Sequence, residues 1–411
     1  MTAFAETVRI ERIAAGGDGV GRLADGRTVF VPRSAPGDTV RLRDVTRQAR
    51  FARARIAAIE EASPDRAAPA CPHYVADECG GCQLQHLALP VQQRVRRGIV
   101  GDALRRIGRL DVPDPPLEPS PQAWRYRSRV TLHASGSGGR IGYHRLGRPG
   151  GIFALDECHL ASDAVTGLWQ GVRHHRRLLP EGLADLTLRE SRDGTRHVLA
   201  RNAAPQAWSR GGELARALVA DGVAATVWWQ PPGGVARVMG GEGVEGGSVF
   251  EQVHPAMGDR LRAHAVERLG PTEGAHAWDL YAGIGEATVL LREGGATVES
   301  VERDRRAVAL AARRLGDGAR PVAGAVEEVV GSLRQPDLVL TNPPRGGMDP
   351  RVTARLAERP PARLAYVSCD PATLARDLGR LGAAMRLVEV TAFDLFPQTA
   401  HVETVAILER A

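Results

Sequence analysis

The feature that most constrains the fold is a regular alternation of strand and helix patterns that begins near residue 255 and runs to the C-terminus. Short segments rich in aliphatic residues are separated by stretches with the periodicity of helices. These segments start at Ala277, Ala296, Asp337, Arg363 and Met385. Strands that alternate with helices build a mostly parallel sheet with helices on both faces. The pattern therefore predicts a Rossmann-like α/β domain over residues 255–411.

The sequence before residue 255 predicts two further domains. Residues 1–60 contain short alternating segments separated by glycine turns, which is typical of a small, OB-like β-barrel. Residues 61–254 are expected to form a β-rich central domain that contains most of the cysteines. Within it, residues 90–112 carry apolar side chains every three or four positions. We expect an amphipathic helix there that packs on the C-terminal domain.

Charge and targeting signals narrow the class of protein. The chain has no lysine, so its basic side chains are all arginine, and its formal net charge is +6. Arginine binds phosphate and stacks on bases, which indicates a nucleic-acid partner, although an arginine-rich genome would give the same composition. No apolar run is long enough to cross a bilayer, and no basic and apolar leader follows Met1. We therefore expect a cytoplasmic protein without a membrane partner.

The five cysteines fall into two groups. Cys369 stands alone near the C-terminus, whereas the others lie in the first half of the chain. In a cytoplasmic chain such a set is not expected to form disulfides. Soft thiolate ligands suit an iron–sulfur cluster or zinc. The cysteines predicted to bind a metal are Cys71, Cys79, Cys82 and Cys158.

A glycine turn between the first strand and helix of the C-terminal domain predicts a cofactor site. Glycines in such a turn allow a ligand to approach the backbone closely. About two dozen residues later the next strand ends in an acidic residue, which can bind ribose hydroxyls. The residues assigned to cofactor binding here are Asp279, Tyr281, Gly283, Gly285, Glu286 and Glu302. The turn lacks the third glycine of a dinucleotide fingerprint and resembles motif I of the class I S-adenosylmethionine methyltransferases.

Cys369 lies in the segment Val367-Ser-Cys-Asp-Pro, directly after a predicted strand, where α/β sheets bind ligands. A helix is expected after Pro371, and its N-terminus should favour the thiolate. These residues resemble the nucleophile motif of the RNA uracil-5-methyltransferases. Further segments match that family in order: Phe250-Glu-Gln-Val-His, Asn342-Pro-Pro-Arg-Gly-Gly and Phe396-Pro-Gln-Thr-Ala-His-Val-Glu. The N-terminal barrel resembles a TRAM domain, an RNA-binding module.

The resemblance covers essentially the whole chain and is closest to the branch that methylates 23S ribosomal RNA. It implies that Cys369 adds to uracil C6 and that Glu403 removes the C5 proton, with S-adenosylmethionine as methyl donor. It also implies that Gln252 and Asn342 contact both cofactor and base, and that Arg345 contacts the substrate. For the upstream cysteines it implies a 4Fe–4S cluster, with zinc as the alternative. We expect a monomer.

Two departures from the family pattern leave alternatives open. Asn342 stands where the family usually has Asp, and Asn-Pro-Pro also occurs in enzymes that methylate exocyclic amino groups. His254 stands where Asn is usual. The substrate could be transfer RNA instead of ribosomal RNA. The rival hypothesis is a noncatalytic RNA-binding or ribosome-assembly protein with a degenerate methyltransferase fold.

Overall fold

The structure is a computed structural model that describes residues 6–136, 139–203, 206–242, 251–316 and 318–411. The chain divides into two compact units. One unit combines Met1–Arg66, Leu87–Ser120 and Ala256–Ala411, and the other combines Ala67–His86 and Pro121–Pro255. None of the helices in these described ranges is both long and apolar enough to cross a membrane.

The N-terminal domain is a six-stranded sheet of short strands. They are β1 (Thr7–Arg9), β2 (Arg12–Ile13), β3 (Gly19–Arg22), β4 (Thr28–Val31), β5 (Thr39–Arg47) and β6 (Phe51–Glu61), in the order β1-β5-β6-β4-β3-β2. Alternate side chains point inward, as in β4, where Val29 and Val31 are buried. A side chain at Gly21 would collide with the Arg9 carbonyl at 2.6 Å, so this close crossing requires glycine. The predicted N-terminal β-domain is confirmed.

Between this domain and the next sheet the chain forms α1 (Pro72–Ala76), α2 (Leu89–Arg106) and β7 (Leu117–Glu118). Helix α2 starts with a proline in its first turn, a position where the missing N–H is not needed. It ends before the predicted residue 112, because Gly108 follows closely and Arg109 has a left-handed backbone with φ 55°. Its buried face includes two polar side chains, Gln92 and Arg96.

The central unit contains a second six-stranded sheet and a small hairpin. Its strands are β8 (Arg129–Ala134), β9 (Ile141–Gly142), β10 (His144–Arg145), β11 (Arg148–Ile152), β12 (Leu183–Glu190), β13 (Arg196–Asn202), β14 (Thr226–Gln230) and β15 (Arg237–Gly240). The sheet order is β15-β14-β13-β12-β8-β9, and β10 pairs with β11. Helices α3 (Asp163–His174) and α4 (Gly211–Ala220) contribute Leu168 and Leu214 to the core of this unit.

The C-terminal domain begins with α5 (Pro255–Leu269) and alternates strands with helices as predicted. The strands are β16 (His276–Leu280), β17 (Thr297–Glu302), β18 (Ala319–Ala323), β19 (Leu338–Thr341), β20 (Arg363–Ser368), β21 (Met385–Phe393) and β22 (Glu403–Arg410). The helices are α6 (Glu286–Glu293), α7 (Arg305–Leu315), α8 (Val326–Val329), α9 (Pro350–Glu358) and α10 (Pro371–Leu381).

These strands form one sheet in the order β18-β17-β16-β19-β20-β22-β21-β7. Strands β16 to β20 are parallel, whereas β22 runs antiparallel to both of its neighbours. All five residues of β16 are buried, because helices cover both faces of such a sheet. The predicted Rossmann-like α/β fold is confirmed. The sequence did not reveal that β7, from the N-terminal half, extends this sheet by pairing with β21.

Candidate active site

The glycine turn after β16 is folded by three residues with left-handed backbone. Tyr281, Gly283 and Gly285 have φ values of 62°, 57° and 78°. The space above the Gly283 Cα is open, whereas a side chain at Gly285 would lie 3.3 Å from Ala311 of α7. Gly285 thus permits close helix packing, and Gly283 leaves the backbone accessible to a ligand.

Acidic groups hold this turn in place. The Glu302 carboxylate accepts hydrogen bonds from the backbone N–H of Gly283 (3.0 Å) and of Asp304 (2.8 Å). Asp279 is buried and accepts the Thr288 hydroxyl at 2.6 Å, and burial raises its pKa to about 7. Its carboxyl group therefore joins β16 to α6 inside the fold. Glu286, at the start of α6, pairs with Arg262 at 3.1 Å.

Cys369 and Glu403 become neighbours through the pairing of β20 with β22. Ser368 lies opposite Thr404 in this antiparallel pair, so the next residues on each strand, Cys369 and Glu403, face one another. Glu403 is only 3% exposed, and Cys369 is half-buried. The structure thus brings together the two residues that the sequence assigns to chemistry, and Glu403 is not a solvated strand residue.

The ionisation of this pair differs from the prediction. Burial, together with the neighbouring Glu403, raises the pKa of the Cys369 thiol to about 11. Burial also raises the pKa of Glu403 to about 8, and Arg345 opposes both shifts. Helix α10 does begin at Pro371, as expected. The expectation that its N-terminus gives a thiolate is wrong, because desolvation and a nearby carboxyl group outweigh it.

Arg345 lies in the loop 342–348 that follows β19. The Asn342 backbone N–H donates to the Leu280 carbonyl at 3.1 Å, which fixes the start of this loop beside β16. Both Asn342, which is half-buried, and Arg345, which is exposed, are therefore placed at the carboxyl end of the sheet. Ligands bind at this end of α/β sheets.

The end of the same loop is held by Asp377 of α10, a buried carboxylate that the sequence analysis did not single out. Asp377 Oδ2 accepts the Met348 N–H and the Tyr366 hydroxyl, each at 2.8 Å. Asp377 Oδ1 accepts hydrogen bonds from Arg376 (2.9 Å) and Arg380 (3.0 Å). Gly347 has φ +77°, and a Cβ there would lie 2.4 Å from this carboxylate. The loop and the helix after Cys369 therefore share one anchor.

Gln252 belongs to the unit that combines Ala67–His86 and Pro121–Pro255. It is half-buried and precedes Val253, whose carbonyl accepts the Ser128 N–H at 2.8 Å. His254 is buried and stacks on Tyr126 with ring centroids 4.9 Å apart. Phe250, the first residue of the matched segment, lies outside the described residues. The role of Gln252 at cofactor and base stays a prediction.

The four upstream cysteines line one small cavity of about 40 Å³ in the central unit. Its other walls include His73, whose ring nitrogens are occupied by Asp77 (2.7 Å) and by the Asp156 N–H (3.2 Å). The Gly81 N–H donates to Cys79 Sγ at 3.5 Å. Across the described ranges, no group of three or more His, Cys, Asp or Glu side chains is arranged to hold a metal ion. The structure therefore does not show a 4Fe–4S site, although the four thiols line the same cavity.

Arg127 is the charged side chain that faces the cysteines most directly. It lines their cavity, and its guanidinium lies 5.9 Å from the Tyr126 ring centroid. Its Nε atom is buried and has no hydrogen-bond partner. Among the described residues no carboxylate is within ion-pair distance of it. The acidic side chain that lines this cavity, Glu157, pairs with Arg125 instead.

Two family models match parts of the chain. The model of the TRAM domain matches residues 6–57, which form the N-terminal sheet. The model described as tRNA (Uracil-5-)-methyltransferase matches residues 331–411, which contain the loop after β19, Cys369 and Glu403.

Full-length relatives agree with both matches. The chain is 31% identical to the 23S rRNA (uracil(1939)-C(5))-methyltransferase RlmD of Azoarcus sp., over 98% of this chain and 99% of the relative. It is 34% identical to a protein of Gloeobacter violaceus named an uncharacterized RNA methyltransferase, over 98% and 96% of the two chains. The tRNA (uracil-54, C5)-methyltransferase of Pyrococcus abyssi has the same fold, with a TM-score of 0.74 at 24% identity over 98% and 99% of the chains. The chain therefore belongs to the RNA uracil-5-methyltransferase family.

Proposed function

We propose that this protein transfers a methyl group from S-adenosylmethionine to C5 of a uridine in RNA through a covalent bond between Cys369 and C6 of the base. The single observation that carries the proposal is the pairing of β20 with β22, which puts a thiol beside a buried carboxyl group at the carboxyl end of the sheet. A nucleophile and a base on adjacent strand ends suit a reaction in two chemical stages.

The reaction needs both groups because uracil C5 is too weak a nucleophile to take a methyl group unaided. Cys369 Sγ forms a bond to C6, which makes C5 enolate-like, and C5 then takes the methyl group with release of S-adenosylhomocysteine. Glu403 accepts the C5 proton, and the Sγ–C6 bond breaks to restore the double bond. The target base must leave its stack to reach these groups.

The raised pKa values of Cys369 and Glu403 favour one order of these steps. At neutral pH both groups are mostly protonated in the ligand-free protein, since their pKa values are about 11 and about 8. Each negative charge disfavours the other, so the pair loses its protons in coupled steps. Cys369 releases its proton to solvent before it attacks, and the attack on C6 moves the resulting negative charge onto the base. Glu403 then loses its own proton to solvent more readily, so that it can accept the proton from C5. Arg345, which favours the anionic form of both, is the cation that assists this transfer.

The glycine turn fits the methyl donor. The accessible backbone at Gly283 and the carboxylate of Glu302 suit a ligand with a ribose, and we assign Asp279, Tyr281, Gly285 and Glu286 to the same site through the turn they build. Asn342 can accept from uracil N3–H through its amide oxygen or donate to O4 through its amide nitrogen, so it is compatible with uracil. Gln252 and Arg345 complete the proposed base and cofactor contacts.

We also propose that Cys71, Cys79, Cys82 and Cys158 hold a 4Fe–4S cluster, with zinc as the alternative. Four soft donors around one cavity and an N–H directed at Cys79 Sγ suit either group. The charge of Arg127 supports this, because its buried Nε atom has no hydrogen-bond partner and metal-bound thiolates would place negative charge beside it. When bound, the group would cross-link distant parts of the central unit, and no chemical step at uracil requires its electrons.

For the substrate we favour 23S ribosomal RNA, because relatives named for that reaction match the whole chain. Transfer RNA is the alternative, since the Pyrococcus abyssi protein of the same fold is named for it. We also propose that the protein acts in the cytoplasm and is a monomer.

The test is methylation of unmodified ribosomal and transfer RNA by anaerobically purified protein with methyl-labelled S-adenosylmethionine. We expect 5-methyluridine by nucleoside mass spectrometry, and we expect none with Cys369→Ala. A methylated cytidine or adenosine would refute uracil C5 as the target and point to Asn342. RNA binding without any label would refute catalysis and favour the RNA-binding alternative.

A further inference from the structure

The loop that precedes Glu403 is attached to a helix from the other end of the sequence. This loop, residues 394–402, connects β21 to β22, and helix α2 reaches it with two buried polar side chains. We propose that Gln92 and Arg96 of α2 are positioning residues that hold the Glu403 carboxyl group where it can remove the C5 proton. The inference rests on the function proposed above.

In the part of the chain that the structure describes, no group forms a hydrogen bond or ion pair with the Glu403 carboxyl group. The nearby charge, Arg345, acts on it only through space. The position of the carboxyl group is therefore set by the backbone around Glu403, which is the first residue of β22 and lies opposite Phe393 of β21. Whatever fixes the loop between these strands fixes the base.

Gln92 forms a reciprocal amide pair with Gln398 in the middle of that loop. Gln92 Nε2 donates to Gln398 Oε1 at 2.9 Å, and the Gln398 backbone N–H donates to Gln92 Oε1 at 2.9 Å. Both side chains are nearly inaccessible, at 1% and 3% exposure. Gln398 has φ +71°, a left-handed conformation that costs a non-glycine residue conformational energy. The amide pair offsets this cost and keeps the turn in one conformation.

Arg96, which is fully buried, ties the two sides of the loop to each other. Its Nη1 donates to the Thr399 carbonyl and its Nη2 to Asp394 Oδ2, both at 2.9 Å. The Thr399 hydroxyl in turn donates to the Phe396 carbonyl at 2.8 Å and accepts the His401 N–H at 3.2 Å. The hydrogen bonds that start from α2 thus reach His401, two residues before Glu403, and the backbone continues from there into β22.

Because the reaction has two stages, an experiment can distinguish a positioning role of Gln92 from a role in stability alone. Cys369 forms the adduct, whereas Glu403 resolves it, so a displaced Glu403 slows only the second stage. Loss of Gln92 should therefore lower turnover while the protein–RNA adduct accumulates. A variant that is merely less stable would form less adduct as well as less product. The loss of both hydrogen bonds to Gln398 corresponds to about a tenfold slower resolution.

The experiment uses the full-length protein with the RNA substrate identified above and labelled S-adenosylmethionine. Turnover and the fraction of protein covalently bound to RNA, measured on denaturing gels, are compared for the wild type, Gln92→Ala and Glu403→Gln. Arg94→Gln is the matched control, because Arg94 lies on the same helix but is exposed and pairs with Asp65 at 3.0 Å. We expect about tenfold lower turnover and several-fold more adduct for Gln92→Ala, and wild-type values for Arg94→Gln.

Other outcomes separate this inference from the proposed function. If Glu403→Gln turns over normally without adduct, the role of Glu403 is wrong and the inference falls with it. If Glu403→Gln traps adduct but Gln92→Ala loses turnover without trapping, or behaves as the wild type, only the positioning role is refuted. Gln92→Met serves if the alanine variant does not fold, because it keeps most of the side-chain volume but cannot form either hydrogen bond to Gln398. It should also raise the adduct fraction, and no rise would overturn the inference.

Discussion

Substitution of Asp377 by Asn tests whether the loop that carries Arg345 depends on one buried carboxylate. The side chain is fully buried and accepts hydrogen bonds from Met348, Tyr366, Arg376 and Arg380. An Asn can keep its oxygen toward Met348 and Tyr366, and its amide then faces the two guanidinium groups. That arrangement loses two charged partners and leaves a buried N–H unpaired.

The expected cost follows from these contacts. Arg376 and Arg380 are 38% and 34% exposed, so solvent screening limits each lost ion pair to at most about 1 kcal/mol. The unpaired amide adds about 1–3 kcal/mol, which gives about 3 kcal/mol of unfolding free energy in all. Because the loop then loosens, Arg345 should no longer lower the pKa of Glu403, and the midpoint of the rate–pH profile should move upward.

The assay combines urea denaturation with rates measured between about pH 6 and pH 9, a range that spans the raised pKa of Glu403. Asp102→Asn is the control, since Asp102 pairs with Arg12 (3.2 Å) and Arg105 (3.4 Å) at the surface of the same unit. Tyr366→Phe removes one hydrogen bond and should cost about 1 kcal/mol. A loss for Asp377→Asn no greater than that of the control, or an unshifted pH midpoint, would refute the reasoning.

Charged residues at the active site and at the cysteine cavity give three further predictions. Burial raises the pKa of Glu403 from 4.5 to about 8, so its ionisation destabilises the folded protein as pH rises toward 8. The Tm of Glu403→Gln minus that of the wild type should therefore grow from about pH 5 to pH 8 and then stay constant. Glu302→Gln should weaken S-adenosylmethionine binding about tenfold by calorimetry, and unchanged affinity would contradict its role. Arg127→Gln should release metal to a chelator about tenfold faster than Arg127→Lys, and equal rates would contradict a counter-charge role.

The parts of the fold that follow from local pattern could be predicted from the sequence. Strand β20, at Arg363–Ser368, coincides with the predicted segment, because a strand buried on both faces is a short aliphatic run between helices. The two-residue strand β7 has no such pattern. Strand β7 pairs with β21 only because the rest of the fold brings the two strands together. The local sequence around β7 therefore does not predict it.

The candidate site divides in the same way. Cys369 and Glu403 could be predicted from motifs, and the register of β20 with β22 makes them neighbours. Asp377 follows Cys369 by eight residues, but its role depends on the loop after β19 that folds onto it. Gln92 and Gln398 are 306 residues apart in sequence, and a glutamine on an amphipathic helix gives no sign that it is buried.

The expectation of a Cys369 thiolate is wrong because the sequence does not show that this residue is partly buried beside Glu403. A helix N-terminus lowers a thiol pKa by a modest amount, whereas burial beside a carboxyl group raises it. Sequence shows the helix but not the burial, so it shows only the smaller of the two effects. We propose that this burial keeps Cys369 protonated in the free protein and gives Glu403 its higher proton affinity. On this proposal, the pair becomes reactive when the bound base accepts the negative charge.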